Sequence, residues 1–416
     1  MGKDVQFKKN FIWNIIGTGF NAFNSLFFMI AVTRINGVDN AGIYAIAYST
    51  ACILYMIGIY AGRIYQVTEN NAKITNKDYI FNRAMSCGII FIISILFVVL
   101  KGYDIFKSSI FIILALYKAL EAFSDVFYGI LQKNNYLDKA GKSCFMKAII
   151  SVVVFTIADV LTKNLIIACS SIVVVYLVII LIYDLRQSNI FIKDEKKPEM
   201  KNVMNIFKGG FFPFAISFLG VYITNAQKYS IDNFLSENIQ AIFGIIIMPA
   251  TVMGLLAQFL IHPYLNQIFE LYKADKYREI KKILYKIMLV ILVIGMACSG
   301  VGYLLGTPVL GFVYGLDLSQ YSVSLLIILI AATLYTMAGI ISPILITMRH
   351  NFVQFVIYVV VAIFEWNLSN TFVQKYGFNG AIWAYLITMI VYFVMFYIVA
   401  MIIMNKKILK SKESEK

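Results

Sequence analysis

Charged side chains and histidines are scarce in this chain. Only 14% of its 416 residues are Asp, Glu, Lys or Arg, and two are histidines, whereas 60% are hydrophobic. Ordinary soluble domains carry about 25% charged residues. The scarcity excludes a soluble globular domain, and a mean hydropathy of +0.79 indicates that lipid is the solvent for most of the chain.

Motifs on which many enzymes and metal proteins depend are also missing. The sequence has no Walker loop, no HExxH and no nucleophile elbow. Its five cysteines lie within or beside apolar segments, at spacings that suit neither a zinc site nor a disulfide framework. We therefore expect neither an enzyme nor a bound metal or cofactor.

What the chain does have is a series of twelve apolar segments, most of them near the 20 residues that a membrane-spanning helix needs. They are residues 11–33, 41–62, 84–100, 109–131, 144–161, 165–183, 207–227, 239–261, 283–305, 321–347, 352–373 and 381–404. Their continuity predicts helices, because the strands of a membrane barrel alternate in polarity. The expected fold is an all-α integral membrane protein with about twelve transmembrane helices.

Lysine and arginine are distributed unevenly between the two ends of these segments. If the N-terminus is cytoplasmic, 29 of the 36 fall on the cytoplasmic side and six fall outside, while Lys118 lies within a segment. Positive charge accumulates on the cytoplasmic side of membrane proteins, so we expect both termini there. The same topology accounts for the net charge of +14, and no nucleic-acid partner is expected.

A charged stretch divides the chain into two halves of six segments. The predicted organisation is an N-terminal lobe at 1–183, a cytoplasmic linker at 184–206, a C-terminal lobe at 207–405 and a basic tail at 406–416. A faint repeat supports it, since Ala41–Tyr48 is similar to Gln240–Ile247 at an offset of 199 residues. Two such lobes would enclose a central cavity that opens to either side in turn.

The fourth segment carries polar residues that lipid does not tolerate. Lys118, Glu121, Asp125, Tyr128 and Gln132 are spaced by three and four residues, so they share one helical face. Such a face is either the wall of a polar cavity or a structural ion pair that joins this helix to a neighbour.

Other polar residues give weaker signals. Asn21 belongs to a polar stripe on the first segment, where hydrogen bonds between helices are an equal explanation. Arg34 and Arg63 end the first two segments, and Asn225 and Lys228 end the seventh. Charged side chains at the end of a span can bind substrate, but they can equally extend to the membrane surface. Glu365 lies mid-segment without a basic neighbour in sequence, which suits a proton carrier or a locally hydrogen-bonded acid.

Several of these stretches together resemble the Wzx-type polysaccharide flippases of the multidrug/oligosaccharidyl-lipid/polysaccharide (MOP) exporter superfamily. They are Arg34–Tyr44, Tyr65–Glu69, Lys118–Gly129 with Gln132 and Gly141–Ser143, and Asn225–Asp232 followed by Phe243-Gly and Met248–Ala250. Family sequences often have proline where this chain has Gln227.

The resemblance implies two six-helix lobes and transport of an undecaprenyl-diphosphate-linked oligosaccharide across the bacterial cytoplasmic membrane. The expected partners are this lipid-linked substrate, membrane lipid and other polysaccharide-assembly proteins. Candidate substrate-binding residues are Arg34, Arg63, Lys118, Lys228, Asn21, Asn225, Tyr128 and Gln132. Candidate carriers of a coupling H⁺ or Na⁺ are Glu121, Asp125 and Glu365.

Three other functions stay open at this point. A cation or drug antiporter of the same superfamily would share the fold but would favour an acidic cavity. A membrane polysaccharide polymerase generally has a large outer loop, which this sequence lacks. A scaffold without transport activity would have no need of buried charges on several helices.

Overall fold

The computed structural model describes residues 3–60, 62–68, 73–193, 195–261 and 264–414. Glu69, which ends one of the stretches that resemble the flippases, and both ends of the chain lie outside the described residues. Within these ranges every regular element is helical. The chain forms two compact units, Met1–Val221 and Tyr222–Lys416. The lobe boundaries expected from the sequence remain a prediction.

The first unit contains nine α-helices. They are α1 (Lys3–Asn36), α2 (Val38–Ile59), α3 (Gly62–Thr68), α4 (Asn76–Lys101), α5 (Ile105–Lys133), α6 (Leu137–Thr162), α7 (Leu165–Ile179), α8 (Leu185–Ser188) and α9 (Met200–Ile223), whose last two residues belong to the second unit. A π-helical turn, Ile180–Asp184, joins α7 to α8, and a 3₁₀ turn, Asn189–Phe191, follows.

The second unit contains the remaining eight described helices. They are α10 (Ala226–Phe234), α11 (Glu237–Ile246), α12 (Met248–Ile261), α13 (Leu265–Lys273), α14 (Tyr277–Val301), α15 (Thr307–Tyr314), α16 (Ser322–Thr347) and α17 (Asn351–Ser414). A second π-helical turn, Gly302–Gly306, joins α14 to α15, and a 3₁₀ turn, Ser319–Tyr321, precedes α16. Gly377 breaks α17 into two arms with φ 57° and ψ −135°, a backbone conformation that favours glycine.

These helices match the twelve predicted segments. Ten described helical stretches are long and apolar enough to cross a membrane, and the last of them, Asn351–Leu409, holds two predicted segments. The remaining segment, the fourth in chain order, is α5, which has the length but carries Lys118, Glu121 and Asp125 near its middle. The prediction of a multi-pass all-helical membrane protein is confirmed.

Several predicted boundaries were wrong because polar residues lie inside helices. Helix α4 begins at Asn76 rather than 84, because Thr75 and Asp78 form a capping box that starts the helix early. Helix α6 begins at Leu137 rather than 144. The second segment ends at Ile59 rather than 62, where Tyr60 adopts φ 40°.

Two segments of the second half are also divided differently from the prediction. The seventh, expected at 207–227, ends at Ile223, and the residues that follow form the separate helix α10. The eighth, expected as one helix at 239–261, is interrupted at Ile247, just before Pro249, which lacks the backbone N–H of a helix interior.

Close helix contacts in the first unit depend on glycine. A Cβ on Gly17 of α1 would lie 2.2 Å from the carbonyl oxygen of Gly141 on α6, and a Cβ on Gly141 would lie 2.3 Å from the carbonyl oxygen of Trp13. Small residues at such crossings let membrane helices approach closely enough for extensive van der Waals contact. This contact fixes where the polar residues of α1 lie relative to α6.

Candidate functional site

A polar cavity of about 140 Å³ lies inside the first unit. Its lining comes from α1, α2, α3, α5, α6 and α7: Asn14, Thr18, Asn21, Tyr55, Arg63, Glu121, Asp125, Tyr128, Ala140, Gly141, Cys144, Lys147 and Tyr176. Charged groups inside a membrane helix bundle usually mark a pathway for ions or substrate. We call this space the N-unit cavity.

Helix α5 supplies the acidic wall of the N-unit cavity. Glu121, Asp125 and Tyr128, three members of the predicted polar face, all line it. The helix is buried along most of its length, and Asp104 caps its start by accepting a hydrogen bond from the Lys107 amide. Gln132 lies near the other end of α5 and does not line the cavity.

Glu121 is held by two neighbours. The Lys118 ammonium donates to its Oε2 at 2.6 Å, and Asn21 Nδ2 donates to its Oε1 at 3.1 Å. Lys118 does not line the cavity, because its ammonium lies 4.9 and 5.0 Å from the ring centroids of Tyr117 and Tyr48 in an aromatic enclosure. Lys118 therefore compensates the charge of Glu121 in the cavity wall without lining the cavity itself.

Asp125 is shared by two arginines. Its Oδ1 lies 3.9 Å from Arg63 Nε, and its Oδ2 lies 3.6 Å from Arg83 Nη2. Arg83 is buried on α4 and donates from Nη1 to the carbonyl oxygen of Gly58 at 3.0 Å. Arg83 falls just outside the predicted segment 84–100, but α4 begins eight residues before that segment, at Asn76, and so includes Arg83.

A second buried ion pair includes Lys147, which also lines the N-unit cavity. Lys147 of α6 donates to Asp184 Oδ2, to Ser124 Oγ and, at 3.1 Å, to the Tyr128 hydroxyl. Asp184 also accepts hydrogen bonds of 2.5 Å from Ser124 and Ser143. Lys147 and Asp184 are essentially inaccessible to solvent.

The hydrogen-bond directions in this Lys147–Asp184 network follow from its geometry. Ser124 and Ser143 each donate their single hydroxyl proton to Asp184, because an ionised carboxylate only accepts. The contact of 3.1 Å between Tyr128 and Ser143 must then be a donation from Tyr128. All three protons of the Lys147 ammonium are used, so Lys147 cannot bind a ligand without releasing one of these partners.

A local irregularity of the backbone lies at Asp184. It ends the π-helical turn Ile180–Asp184, an inserted turn of a kind that often occurs at functional positions in helices. Lys147 lies within the predicted segment 144–161. Asp184, predicted as the first residue of the linker, lies in the π-helical turn that follows α7.

The second unit has a cavity of its own, of about 260 Å³. It is lined by Thr224, Asn225, Lys228, Ile247, Ala250, Thr251, Gly254, Tyr335 and Tyr385. Asn225 and Lys228 both line this cavity, and Lys228 Nζ donates to Asn225 Oδ1 at 3.1 Å. They lie at the break between α9 and α10 rather than at the end of a continuous helix.

Glu365 is fully buried on α17. Gln227 of α10 donates to its Oε1 at 2.5 Å, and the Thr388 hydroxyl donates to its Oε2. Among the described residues no cation lies within ion-pair distance, so an ionised Glu365 would be an uncompensated charge. Glu365 was predicted from its position in the segment, but its contacts with Gln227 and Thr388 were not, because both residues are distant in sequence.

Arg34 is the candidate most distant from the N-unit cavity. It lies in the last turn of α1, thirteen residues beyond Asn21, or about 20 Å along a helix that rises 1.5 Å per residue. Its side chain is exposed, and it does not line either cavity.

The charged groups in and directly behind the wall of the N-unit cavity have a net positive charge. The lining contains two basic residues, Arg63 and Lys147, and two acids, Glu121 and Asp125. Their direct partners add two basic residues, Arg83 and Lys118, and one acid, Asp184. Four positive charges thus face three negative ones among the described residues. No cluster of three or more metal-ligating side chains of the His, Cys, Asp and Glu types occurs in the described ranges.

Comparison with known proteins agrees with this arrangement. No family model matches the chain. It is 26% identical over 401 residues to the capsular polysaccharide biosynthesis protein CapF of Staphylococcus aureus, covering 94% of this chain and 98% of CapF. A multidrug-resistance MATE-family transporter of the MOP superfamily, in an inward-facing conformation, superposes with a TM-score of 0.71 at 12% identity, covering 95% and 98% of the two chains.

The lipid II flippase MurJ, in an inward closed conformation, gives a TM-score of 0.64 at 15% identity and covers 95% of this chain and 87% of MurJ. The fold is that of the MOP-superfamily transporters. The resemblance to this superfamily that the sequence predicted is therefore confirmed. The similar proteins are transporters and a polysaccharide biosynthesis protein by name, and none is named as a catalyst.

Proposed function

We propose that this MOP-fold protein is a flippase that moves undecaprenyl-diphosphate-linked oligosaccharide repeat units from the inner to the outer leaflet of the bacterial cytoplasmic membrane by alternating access. The proposal rests on the N-unit cavity, which places charged side chains inside a bundle of apolar, membrane-spanning helices. The similarity to a capsular polysaccharide biosynthesis protein along nearly the whole chain supports the same substrate class.

The chemistry of the cavity suits a diphosphate-linked sugar. The net positive balance of the charged groups favours an anionic head group, and a guanidinium such as Arg63 can bind phosphate oxygens in a bidentate manner. Asn14, Thr18, Asn21 and Tyr128 offer amide and hydroxyl partners for sugar hydroxyls. The apolar exterior of the helices lets the lipid tail remain in the bilayer while the head group crosses.

An ion gradient would drive the cycle, and three acids are candidate carriers: Glu121, Asp125 and Glu365. Glu365 is the one without a cationic partner among the described residues, so binding of H⁺ or Na⁺ would compensate its charge most directly. We expect Glu365→Gln to fold and to flip substrate without stimulation by a gradient.

That expectation is tested in proteoliposomes with and without a pH or Na⁺ gradient. The exposed acid Glu270, which pairs with Lys273, provides the matched control Glu270→Gln. If single and combined neutral replacements of Glu121, Asp125 and Glu365 left transport and its gradient dependence unchanged, coupling through these acids would be wrong.

A cation antiporter is the second candidate, because Glu121 and Asp125 line the N-unit cavity. Each of these acids already contacts one or two basic residues, which reduces its attraction for a cationic substrate. The flippase is favoured for this reason.

The experiment that separates the two candidates compares substrate classes on the purified protein. Leaflet exchange of a fluorescent undecaprenyl-diphosphate oligosaccharide is measured beside that of its dephosphorylated alcohol and uptake of a cationic dye. Exchange of the diphosphate alone supports the flippase. Dye uptake without diphosphate exchange contradicts it.

We also propose that both termini are cytoplasmic and that other polysaccharide-assembly proteins meet the transporter in the membrane. The support for the first is the distribution of lysine and arginine along the chain. The second rests on the chemistry, since a repeat unit must be built before it is flipped and polymerised afterwards.

A further inference from the structure

Asp125 is the least firmly held acid of the N-unit cavity. Glu121 accepts two hydrogen bonds and Asp184 accepts three, whereas both contacts of Asp125 are longer than a hydrogen bond. Among the described residues Asp125 has no other polar partner. Its carboxylate is held by charge alone, between two guanidinium groups.

The two arginines differ in their freedom. Arg83 is 4% exposed, lies on the long helix α4 and is fixed by its hydrogen bond to the Gly58 carbonyl. Arg63 is 28% exposed, lines the cavity and lies on the separate seven-residue helix α3. Its only ion-pair partner among the described residues is Asp125, and no hydrogen bond uses its five N–H donors there.

The cavity has one other lining cation, and it is fully engaged. Lys147 donates to three partners, as described above, and Lys118 lies behind the wall. Arg63 is therefore the guanidinium whose donors are available to a ligand. The Asp125 carboxylate, whose Oδ1 lies 3.9 Å from Arg63 Nε, occupies the region that the oxygens of an anionic ligand would take.

We infer that Asp125 is an internal counter-ion for Arg63, which a diphosphate group displaces when it binds. This rests on the proposed function. In the empty transporter Asp125 neutralises a guanidinium that would otherwise be unpaired inside the membrane. When a diphosphate arrives, Arg63 exchanges the loose carboxylate for bidentate phosphate contacts, and Asp125 keeps Arg83.

The exchange determines specificity. A ligand must offer more charge or better geometry than a carboxylate to win Arg63, which a diphosphate does and a carboxylic acid or a neutral lipid does not. Removing Asp125 should therefore tighten binding of the anionic ligand, whereas removing an ordinary binding residue weakens it.

Binding of farnesyl diphosphate to the full-length protein in nanodiscs tests this, with farnesol as the uncharged probe. We expect Asp125→Asn to lower the Kd of farnesyl diphosphate by about threefold to tenfold, the range for removal of a competing ion pair. In an Arg63→Gln background, which itself weakens binding, Asp125→Asn should have no effect.

Two further variants keep the test decisive. Arg83→Gln/Asp125→Asn removes both charges together, so no buried guanidinium is left uncompensated, and it should tighten binding as Asp125→Asn does. Glu270→Gln, an exposed acid in the second unit, should leave the Kd unchanged. Thermal unfolding of each variant is measured alongside.

The results separate the two proposals. Tighter binding that requires Arg63 supports the counter-ion role. If the natural protein prefers farnesyl diphosphate to farnesol but both Asp125 variants bind it equally or more weakly, the counter-ion role is wrong and the proposed function stands. If the natural protein shows no preference for the diphosphate, both are overturned.

Discussion

At the scale of single residues, charge pairing decides what each polar side chain does. Lys118, Arg83 and Lys147 are positive groups inside a membrane bundle, and each is accompanied by an acid: Glu121, Asp125 and Asp184. Breaking a buried pair leaves an uncompensated charge, which costs far more than the pair itself contributes.

The Lys147–Asp184 pair gives the sharpest prediction of this kind. We expect Lys147→Met to lower the free energy of unfolding in detergent by about 3–5 kcal/mol, because Asp184 would remain charged and buried. The double variant Lys147→Met/Asp184→Asn should recover most of the loss. Chemical unfolding curves measure both.

The exposed Lys273→Met is the control, since surface ion pairs contribute about 0–1 kcal/mol. If Lys147→Met and Lys147→Met/Asp184→Asn lost the same free energy of unfolding, the cost would not come from leaving Asp184 without its cation.

Sequence periodicity identified half of these residues. The face of α5 was predictable because three- and four-residue spacings define it within one helix. Asp184 and Lys147 were not, because their pairing joins two helices across 37 residues, and the first turns of α4 and α6 are polar enough to be taken for loops. Local pattern carries no information about such long-range pairs.

At the scale of helices, the contact between α1 and α6 shapes the N-unit cavity. Asn14, Thr18 and Asn21 of α1 line it, as do Ala140, Gly141, Cys144 and Lys147 of α6. The backbones approach closely only because Gly17 and Gly141 lack side chains. A larger residue at either position must separate the helices.

Two glycines on the same helix provide a matched pair of variants. We expect Gly17→Ala to destabilise the fold by about 1–3 kcal/mol, the usual cost of overpacking, and to slow transport by widening the cavity wall. Gly19→Ala, where a Cβ would meet nothing within 4 Å, should be neutral or slightly stabilising.

Unfolding in detergent and leaflet exchange are measured for both glycine variants. Similar behaviour of the two would mean that the close approach does not hold α1 in place. The sequence could not distinguish Gly17 from Gly19, because what separates them is a neighbouring helix more than a hundred residues away.

At the scale of the whole molecule, hydropathy and charge asymmetry were enough to predict the multi-pass helical architecture. Each predicted segment falls on a described helix, because a span must hold about 20 apolar residues whatever its neighbours are. The breaks at Ile59 and Ile223 were not predicted from the apolar pattern, whereas the interruption at Ile247 has a local cause in the neighbouring Pro249.

The predicted topology has a direct test. Lys163 and Lys273 are exposed and fall on opposite sides of the membrane in the predicted arrangement. An impermeant thiol reagent added to intact cells should label Lys163→Cys and spare Lys273→Cys until the membrane is opened. The native cysteines within the helices are replaced beforehand. The opposite labelling pattern would invert the predicted topology.

The role of the N-unit cavity is tested by the rate at which purified protein exchanges an undecaprenyl-diphosphate oligosaccharide between leaflets, compared between the natural chain, Arg63→Gln and Lys273→Gln. We predict that the natural chain and Lys273→Gln exchange the lipid at equal rates. Arg63→Gln should be at least about tenfold slower, because it removes the guanidinium that takes the diphosphate. Equal rates for all three would contradict the claim that the N-unit cavity carries the head group.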